Sequence, residues 1–232
     1  VVTTATAYLE DINGRMRPAE RSVSREKKTG DKTHTTVVSE KPSINGWFRA
    51  YSREESVETQ RDKTSVEMQK ARRVDDGSGR LIESAREETV VTKSGNKSTT
   101  RTVVYERDAM SSKMTLANRT VGELIERPDG SSSETVQVYG LSPTAGSPRF
   151  LNARGPQLMR TITRERTLGQ AGEVVATTRT RVCSFADPSR MGAVESQQSV
   201  TRPREDGESI QRSVYEQDVN GRCGLLRWWS SR

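Results

Sequence analysis

A short motif returns about every thirty residues along this chain, and it limits the possible folds more than any other feature. It consists of an aromatic residue, two or three polar residues, Asp, a short polar link, Arg or Lys, and then an apolar residue. Near one end it reads Tyr8-Leu9-Glu10-Asp11-Ile12-Asn13-Gly14-Arg15-Met16, and near the other Tyr215-Glu216-Gln217-Asp218-Val219-Asn220-Gly221-Arg222-Cys223. Between them lie Tyr105-Glu106-Arg107-Asp108 leading to Lys113-Met114, Phe185-Ala186-Asp187 leading to Arg190-Met191, and Val74-Asp75-Asp76-Gly77-Ser78-Gly79-Arg80-Leu81. Two degenerate copies run from Val38 through Asn45-Gly46-Trp47 and from Tyr139 to Arg149-Phe150. The expected organisation is one array of six to seven units of roughly 30–35 residues, starting near residues 8, 38, 72, 105, 139, 185 and 215.

Each unit has a second turn near its middle: Thr29-Gly30-Asp31-Lys32, Ser94-Gly95-Asn96-Lys97, Pro128-Asp129-Gly130-Ser131, Gln170-Ala171-Gly172-Glu173 and Glu205-Asp206-Gly207-Glu208. Gly-Asn and Asp-Gly pairs supply the positive φ angles of two-residue hairpin turns, so Gly95-Asn96 and Asp206-Gly207 are predicted hairpin tips. Two turns per unit mean two antiparallel strands per unit, about twelve to fourteen in all. With Gly95-Asn96 as a tip, Lys93 faces Ser98, Thr92 faces Thr99, Val91 faces Thr100, Val90 faces Arg101 and Arg86 faces Tyr105. Arg53–Gln60 lacks apolar residues at three- and four-residue spacing and is read as strand rather than helix.

Composition decides how such strands can be held. Val, Leu, Ile and Phe make up 41 of 232 residues, under the fifth of the chain at which disorder becomes the usual outcome. The apolar residues that are present favour strands, since Val outnumbers Leu 22 to 10, and the 25 Thr are also β-branched. Cross-strand pairs, at about 0.2–1 kcal/mol each, must therefore replace part of a missing core. The expected fold class is all-β, with tandem β-hairpin repeats forming an elongated or curled antiparallel meander.

The half-motif resembles the tyrosine–aspartate hairpin repeats of Rhs-type proteins, in which β-hairpins join edge to edge into a spiralling sheet. The residues that carry the likeness are Tyr8/Asp11/Gly14/Arg15, Tyr105/Asp108 and Tyr215/Asp218/Gly221/Arg222. The chain is also similar to long repetitive secreted proteins of environmental bacteria with no assigned activity. This resemblance implies an extracellular, cell-surface or envelope-associated array.

The net charge of +7 favours anionic partners, but 38 Lys and Arg stand among 31 Asp and Glu with the signs interspersed. An anionic polysaccharide or nucleic acid is thus the second candidate partner, after self-assembly or a larger protein complex. Cys183 and Cys223 lie forty residues apart without C-x-x-C spacing, and are read either as one long-range disulfide or as two free thiols on strands. No apolar run is long enough to span a bilayer and no basic-then-apolar segment opens the chain. An opening Val1 is what a processed protein or a portion of a longer one would show.

Enzymatic chemistry finds little to work with. His34 is the one histidine, set among Thr and Lys, with no nucleophile elbow or cysteine close in sequence. Most carboxylates sit beside Arg or Lys, as in Glu106-Arg107-Asp108 and Glu126-Arg127, which predicts salt-bridge ladders. The Asp of the half-motif is read as a turn former bonded to nearby backbone N–H groups. Asp75-Asp76-Gly77-Ser78-Gly79 lacks the alternating oxygens and closing Glu of a calcium loop, phosphate-cradling motifs are absent, and no cofactor is expected. Asn96-Lys97-Ser98 and Asn118-Arg119-Thr120 fit the glycosylation pattern and are expected to be exposed.

Arg227, Trp228 and Trp229 concentrate two of three tryptophans near the chain's end, either as rings capping the last hairpin or as a docking segment. The terminal units match the middle ones, so no capping repeats are expected. Both sheet edges should then be open, and order should depend on assembly.

Overall fold

A computed structural model describes residues 1–10, 13–43, 45–140, 157–169, 172–183, 191–204, 207–217 and 223–231, with the backbone alone at 183, 191, 193, 194, 204, 207, 208, 216, 217 and over 223–231. It is all-β. Fourteen antiparallel strands follow one another in sequence order and no helix occurs among the described residues. They are β1 (Val2–Glu10), β2 (Met16–Thr29), β3 (Lys32–Pro42), β4 (Phe48–Gln60), β5 (Ser65–Asp75), β6 (Leu81–Ser94) and β7 (Lys97–Arg107), then β8 (Met114–Glu126), β9 (Ser132–Gly140), β10 (Gln157–Leu168), β11 (Val174–Cys183), β12 (Met191–Arg204), β13 (Gly207–Gln217) and β14 (Cys223–Ser231). The sheet does not close: β1 and β14 stand at its two ends.

The connections alternate between two kinds. The half-motifs supply those at 11–15, 43–47, 76–80, 108–113, 141–156, 184–190 and 218–222, and the midway turns supply the rest. Gly30 and Gly95, both at φ 58°, each open a two-residue tip, and Gly95-Asn96 is a hairpin tip as predicted. Gly207 is not a tip residue as predicted: it begins β13 and pairs with Arg204, because the strand starts one residue earlier than the Asp-Gly pair suggests, and Asp206 lies outside the described residues. The Thr89 and Thr102 hydroxyls hydrogen-bond at 3.0 Å, which is the register expected from a tip at Gly95-Asn96. Six of the seven residues read as starts of repeats fall within the last five residues of odd-numbered strands, so these sequence units begin inside one hairpin and finish inside the next.

One midway turn has no glycine. β4 and β5 are joined at Arg61–Thr64, where Asp62 Oδ1 accepts hydrogen bonds from the Thr64 backbone N–H at 2.7 Å and hydroxyl at 2.6 Å. The stretch Arg53–Gln60 is strand, within β4.

Bulges distinguish the two kinds of hairpin. Register shifts occur in β1–β2, β3–β4, β9–β10, β11–β12 and β13–β14, all closed by half-motif connections. The residues skipped are Ala19, Tyr51, Met159, Val194 and Leu226, each the third or fourth residue of its even-numbered strand. The hairpins β2–β3, β4–β5, β8–β9, β10–β11 and β12–β13 pair without a shift. An extra residue bends its strand and increases the local twist.

The chain divides into two compact units, Val1–Val91 with Thr102–Ala117 and Thr92–Arg101 with Asn118–Arg232. Neither has an ordinary core. Among the described residues only Val214, Ser52, Thr89 and Ser131 are buried, one of them apolar. Along β9 in the second unit every residue is half-buried, and β3, β4 and β5 in the first lack the in-out alternation of a sheet packed on one face. Order in each unit therefore rests on backbone ladders and lateral side-chain pairs.

In the first unit Arg21 pairs with Glu40 at 2.5 Å and lies 4.3 Å from the centroid of the Phe48 ring. Arg73 and Arg53 both reach Glu55 on the same face. On the opposite face Lys70 meets Glu54 at 2.8 Å, Tyr51 donates to Glu20, which pushes the phenol's pKa up, and Lys41 sits over the Tyr51 ring. In the second unit Arg164 meets Glu134 at 2.6 Å and Lys97 meets Glu123 at 2.8 Å. The expected ladders exist, but most run between strands, because residues adjacent in sequence point to opposite faces. Arg107 and Arg127, singled out for their acidic neighbours, instead donate to the carbonyls of Glu83 and Ser112 and to the Ser131 hydroxyl.

Candidate functional site

The half-motif aspartates hold turns. Asp108 Oδ1 accepts from the backbone N–H groups of Met110 at 3.0 Å and Ser111 at 2.6 Å, and the Ser111 bond is the first cause of a pKa below the ordinary carboxylate value. Asp75 Oδ1 accepts from Gly77 and Gly79, and Asp76 Oδ1 from the N–H and hydroxyl of Ser78. These oxygens are engaged by the turn itself, and no group of three or more metal-ligating side chains occurs among the described residues. Asp11, Asp187 and Asp218 lie outside the described residues.

One face of the first unit gathers positive charge near the midway turns. Cross-strand rows run Val2–Arg25–Thr36–Glu55, then Lys27–His34–Val57–Gln69, then Lys32–Thr59–Glu67. Arg25, Lys27, Lys32 and His34 line a hollow of about 550 Å³ together with Val2 and Thr36 and with one carboxylate, Glu26. A second hollow of about 250 Å³ adjoins it through Lys32 and includes Arg61 and Glu67. The Arg61 hydrogen bond holds the Glu67 carboxyl below its usual range, with Lys32 adding to the effect. Glu55 is taken up by Arg53 and Arg73, so Arg25, Lys27 and His34 face solvent with no ion pair among the described residues. His34 is exposed opposite Lys27 and Val57.

The free edge of β1 is the other candidate. Val1 and Glu26 exchange both backbone hydrogen bonds at 2.8 Å, so odd-numbered residues of β1 direct their N–H and C=O groups to β2. Val2, Thr4, Thr6 and Tyr8 then direct theirs outward. Glu10 is the only charged side chain of the strand, and Val1, Val2, Tyr8 and Leu9 are 89%, 65%, 54% and 68% exposed. Native edge strands usually carry Lys, Pro, a bulge or a cover that discourages pairing; β1 has no Lys or Pro, and the bulge of its hairpin places the extra residue, Ala19, on β2.

Arg227, Trp228 and Trp229 lie on β14, at the other end of the strand order, with their side chains outside the described residues. Cys183 ends β11 and Cys223 begins β14, with β12 and β13 between them. At about 4.8 Å per strand their Cα atoms stand on the order of 14 Å apart, against roughly 4–7 Å for a disulfide. Asn96 is exposed at its tip, whereas Asn118 is half-buried in β8 opposite Gly140, because the strand continues through it. No helix of the described residues is long and apolar enough to cross a membrane.

Comparison with known protein families, with curated proteins and with solved structures finds no match.

Proposed function

We propose that this protein is a structural scaffold, a repeat array whose sheet is extended at its edges by neighbouring strands in an extracellular or cell-surface assembly. The near-absence of buried side chains carries the reading. A chain that buries so little must draw its stability from strand pairing, and each further strand satisfies another row of backbone groups. The exposed, nearly uncharged β1 supports it as a place for such pairing. The extracellular setting comes from the resemblance to hairpin-repeat arrays. Light scattering and circular dichroism over a dilution series test it: the sheet signal is expected to fall as assemblies dissociate. A fully β-structured monomer with an unchanged spectrum at the lowest concentrations would overturn it.

A second reading is favoured by the cationic hollow. Arg25, Lys27 and Lys32 on one face suit an anionic polymer, polysaccharide or nucleic acid, bound mainly through charge. Heparin is a convenient probe. Binding that weakens with salt and is lost in Arg25→Glu/Lys27→Glu supports this reading, and binding unaffected by those changes removes it.

A further inference from the structure

We propose that β1 pairs with β1 of a second copy, in an antiparallel register whose two-fold axis passes between the two Ala5 residues. This rests on the scaffold reading and assigns one edge its partner. The outward groups of β1 belong to Val2, Thr4, Thr6 and Tyr8. Centred on Ala5, the register sets Val2 against Tyr8 and Thr4 against Thr6 of the other copy, so every hydrogen-bonded position faces a hydrogen-bonded position. Residues in between follow suit: Thr3 meets Ala7, and Val1 meets Leu9. The four most exposed apolar residues of this edge thereby cover one another in pairs on matching faces. Thr–Thr pairs occupy the centre, and Glu10, the one charged side chain of β1, lies outside the stretch from Val1 to Leu9.

The arrangement is isologous, so it joins two copies and then stops at this edge. Ala5 sits at a non-hydrogen-bonded pair, where opposing Cα atoms approach to about 4.5 Å, within the reach of a disulfide. The test uses the 232-residue chain with Cys183→Ser and Cys223→Ser, adding Ala5→Cys. Mild oxidation is expected to give a covalent dimer, and a Cys placed at Thr3 should link far less.

Thr4→Pro and Thr6→Pro remove outward N–H groups while keeping every bond to β2, so they should abolish the dimer at concentrations where the unaltered chain forms it, with no loss of sheet signal beyond that of the unaltered chain diluted to monomer. Ala5→Pro, which removes an inward N–H, should cost sheet signal beyond that level. If proline perturbs the strand, Thr4→Lys/Thr6→Lys blocks the edge by charge instead. Assembly that persists without the Ala5→Cys link, and that ignores the proline and lysine variants, would overturn this pairing but leave the scaffold reading standing. Absence of any self-association would overturn both.

Discussion

The hairpins closed by midway turns and those closed by half-motif turns draw on the same polar, β-branched residues, yet they pair differently. β2–β3, β4–β5, β8–β9, β10–β11 and β12–β13 run in perfect register from turn to end. β1–β2, β3–β4, β9–β10, β11–β12 and β13–β14 each carry one extra residue on the second strand, a few positions after the turn. A tight Gly-led tip dictates register by backbone conformation alone, as at Gly30 and Gly95. The longer half-motif connection leaves slack, and the bulge takes it up. The difference teaches that the midway hairpins carry the register of the array, whereas the half-motif hairpins absorb irregularity.

Inserting one residue between Ser24 and Arg25 breaks that comparison most severely. It turns the following side chains of β2 to the wrong face along the straight β2–β3 ladder, including Arg25 and Lys27. We expect loss of the cooperative thermal transition by circular dichroism. The same insertion next to Ala19, where a bulge already exists, should lower the midpoint only modestly. Equal losses at both sites would show that the bulge has no absorbing role.

Gly95→Val is next. A Cβ there meets nothing within 4 Å, so the cost comes from the positive φ alone, about 1–2 kcal/mol. Urea titration should show that loss with an unchanged slope. A loss near zero would mean that the tip does not depend on its left-handed residue.

A smaller effect is expected at the half-motif loops. Asp108→Ala removes two backbone-directed hydrogen bonds at an exposed turn and should lower the melting temperature less than Gly95→Val does. The folded carboxyls of Asp62, Asp76, Asp108 and Asp129 lie below their ordinary values, so ionisation favours the folded turns. That contribution is complete above the unfolded value of about 3.9 and disappears as pH falls through the lower folded values. Melting temperature should therefore hardly respond to these groups from pH 5 to 8 and should drop below about pH 4. Asp108→Ala should blunt the drop, and an identical acid profile would refute its share.

The smallest effect belongs to the lateral ion pairs. A double-mutant cycle on Arg164 and Glu134, both partly exposed, should give a coupling of about 0.2–1 kcal/mol that shrinks with added salt. A salt-independent coupling would point to packing instead.

Much of this architecture was legible in the chain. The Gly-Asn tip at 95–96 announced a register that the Thr89–Thr102 contact follows, and the alternation of two turn kinds announced the strand order. The turn at Arg61–Thr64 was not legible, since Asp62 closes it through its side chain without a glycine. The bulges escaped because an extra residue leaves little trace in strands that are polar on both faces; Ala19 and Tyr51 look ordinary in sequence. The cationic hollow escaped for a related reason. Arg25, Lys27, Lys32 and His34 converge only once β2 and β3 are aligned, and interspersed charges in sequence become one patch when alternate residues share a face. The self-matching order of Val2, Thr4, Thr6 and Tyr8 along β1 escaped as well, because it needed the hydrogen-bond direction fixed by Val1 and Glu26.

The scarcity of buried side chains changes how such a molecule can grow. In a protein with a core, a new segment must fit a volume already shaped by everything around it. Here an interior strand answers chiefly to the two strands beside it, and a hairpin gained by duplication meets the same two kinds of neighbour as the hairpin it copied. Length thus becomes a quantity that copying errors can adjust in whole hairpins, while substitutions on either face are judged almost entirely by the strands next to them.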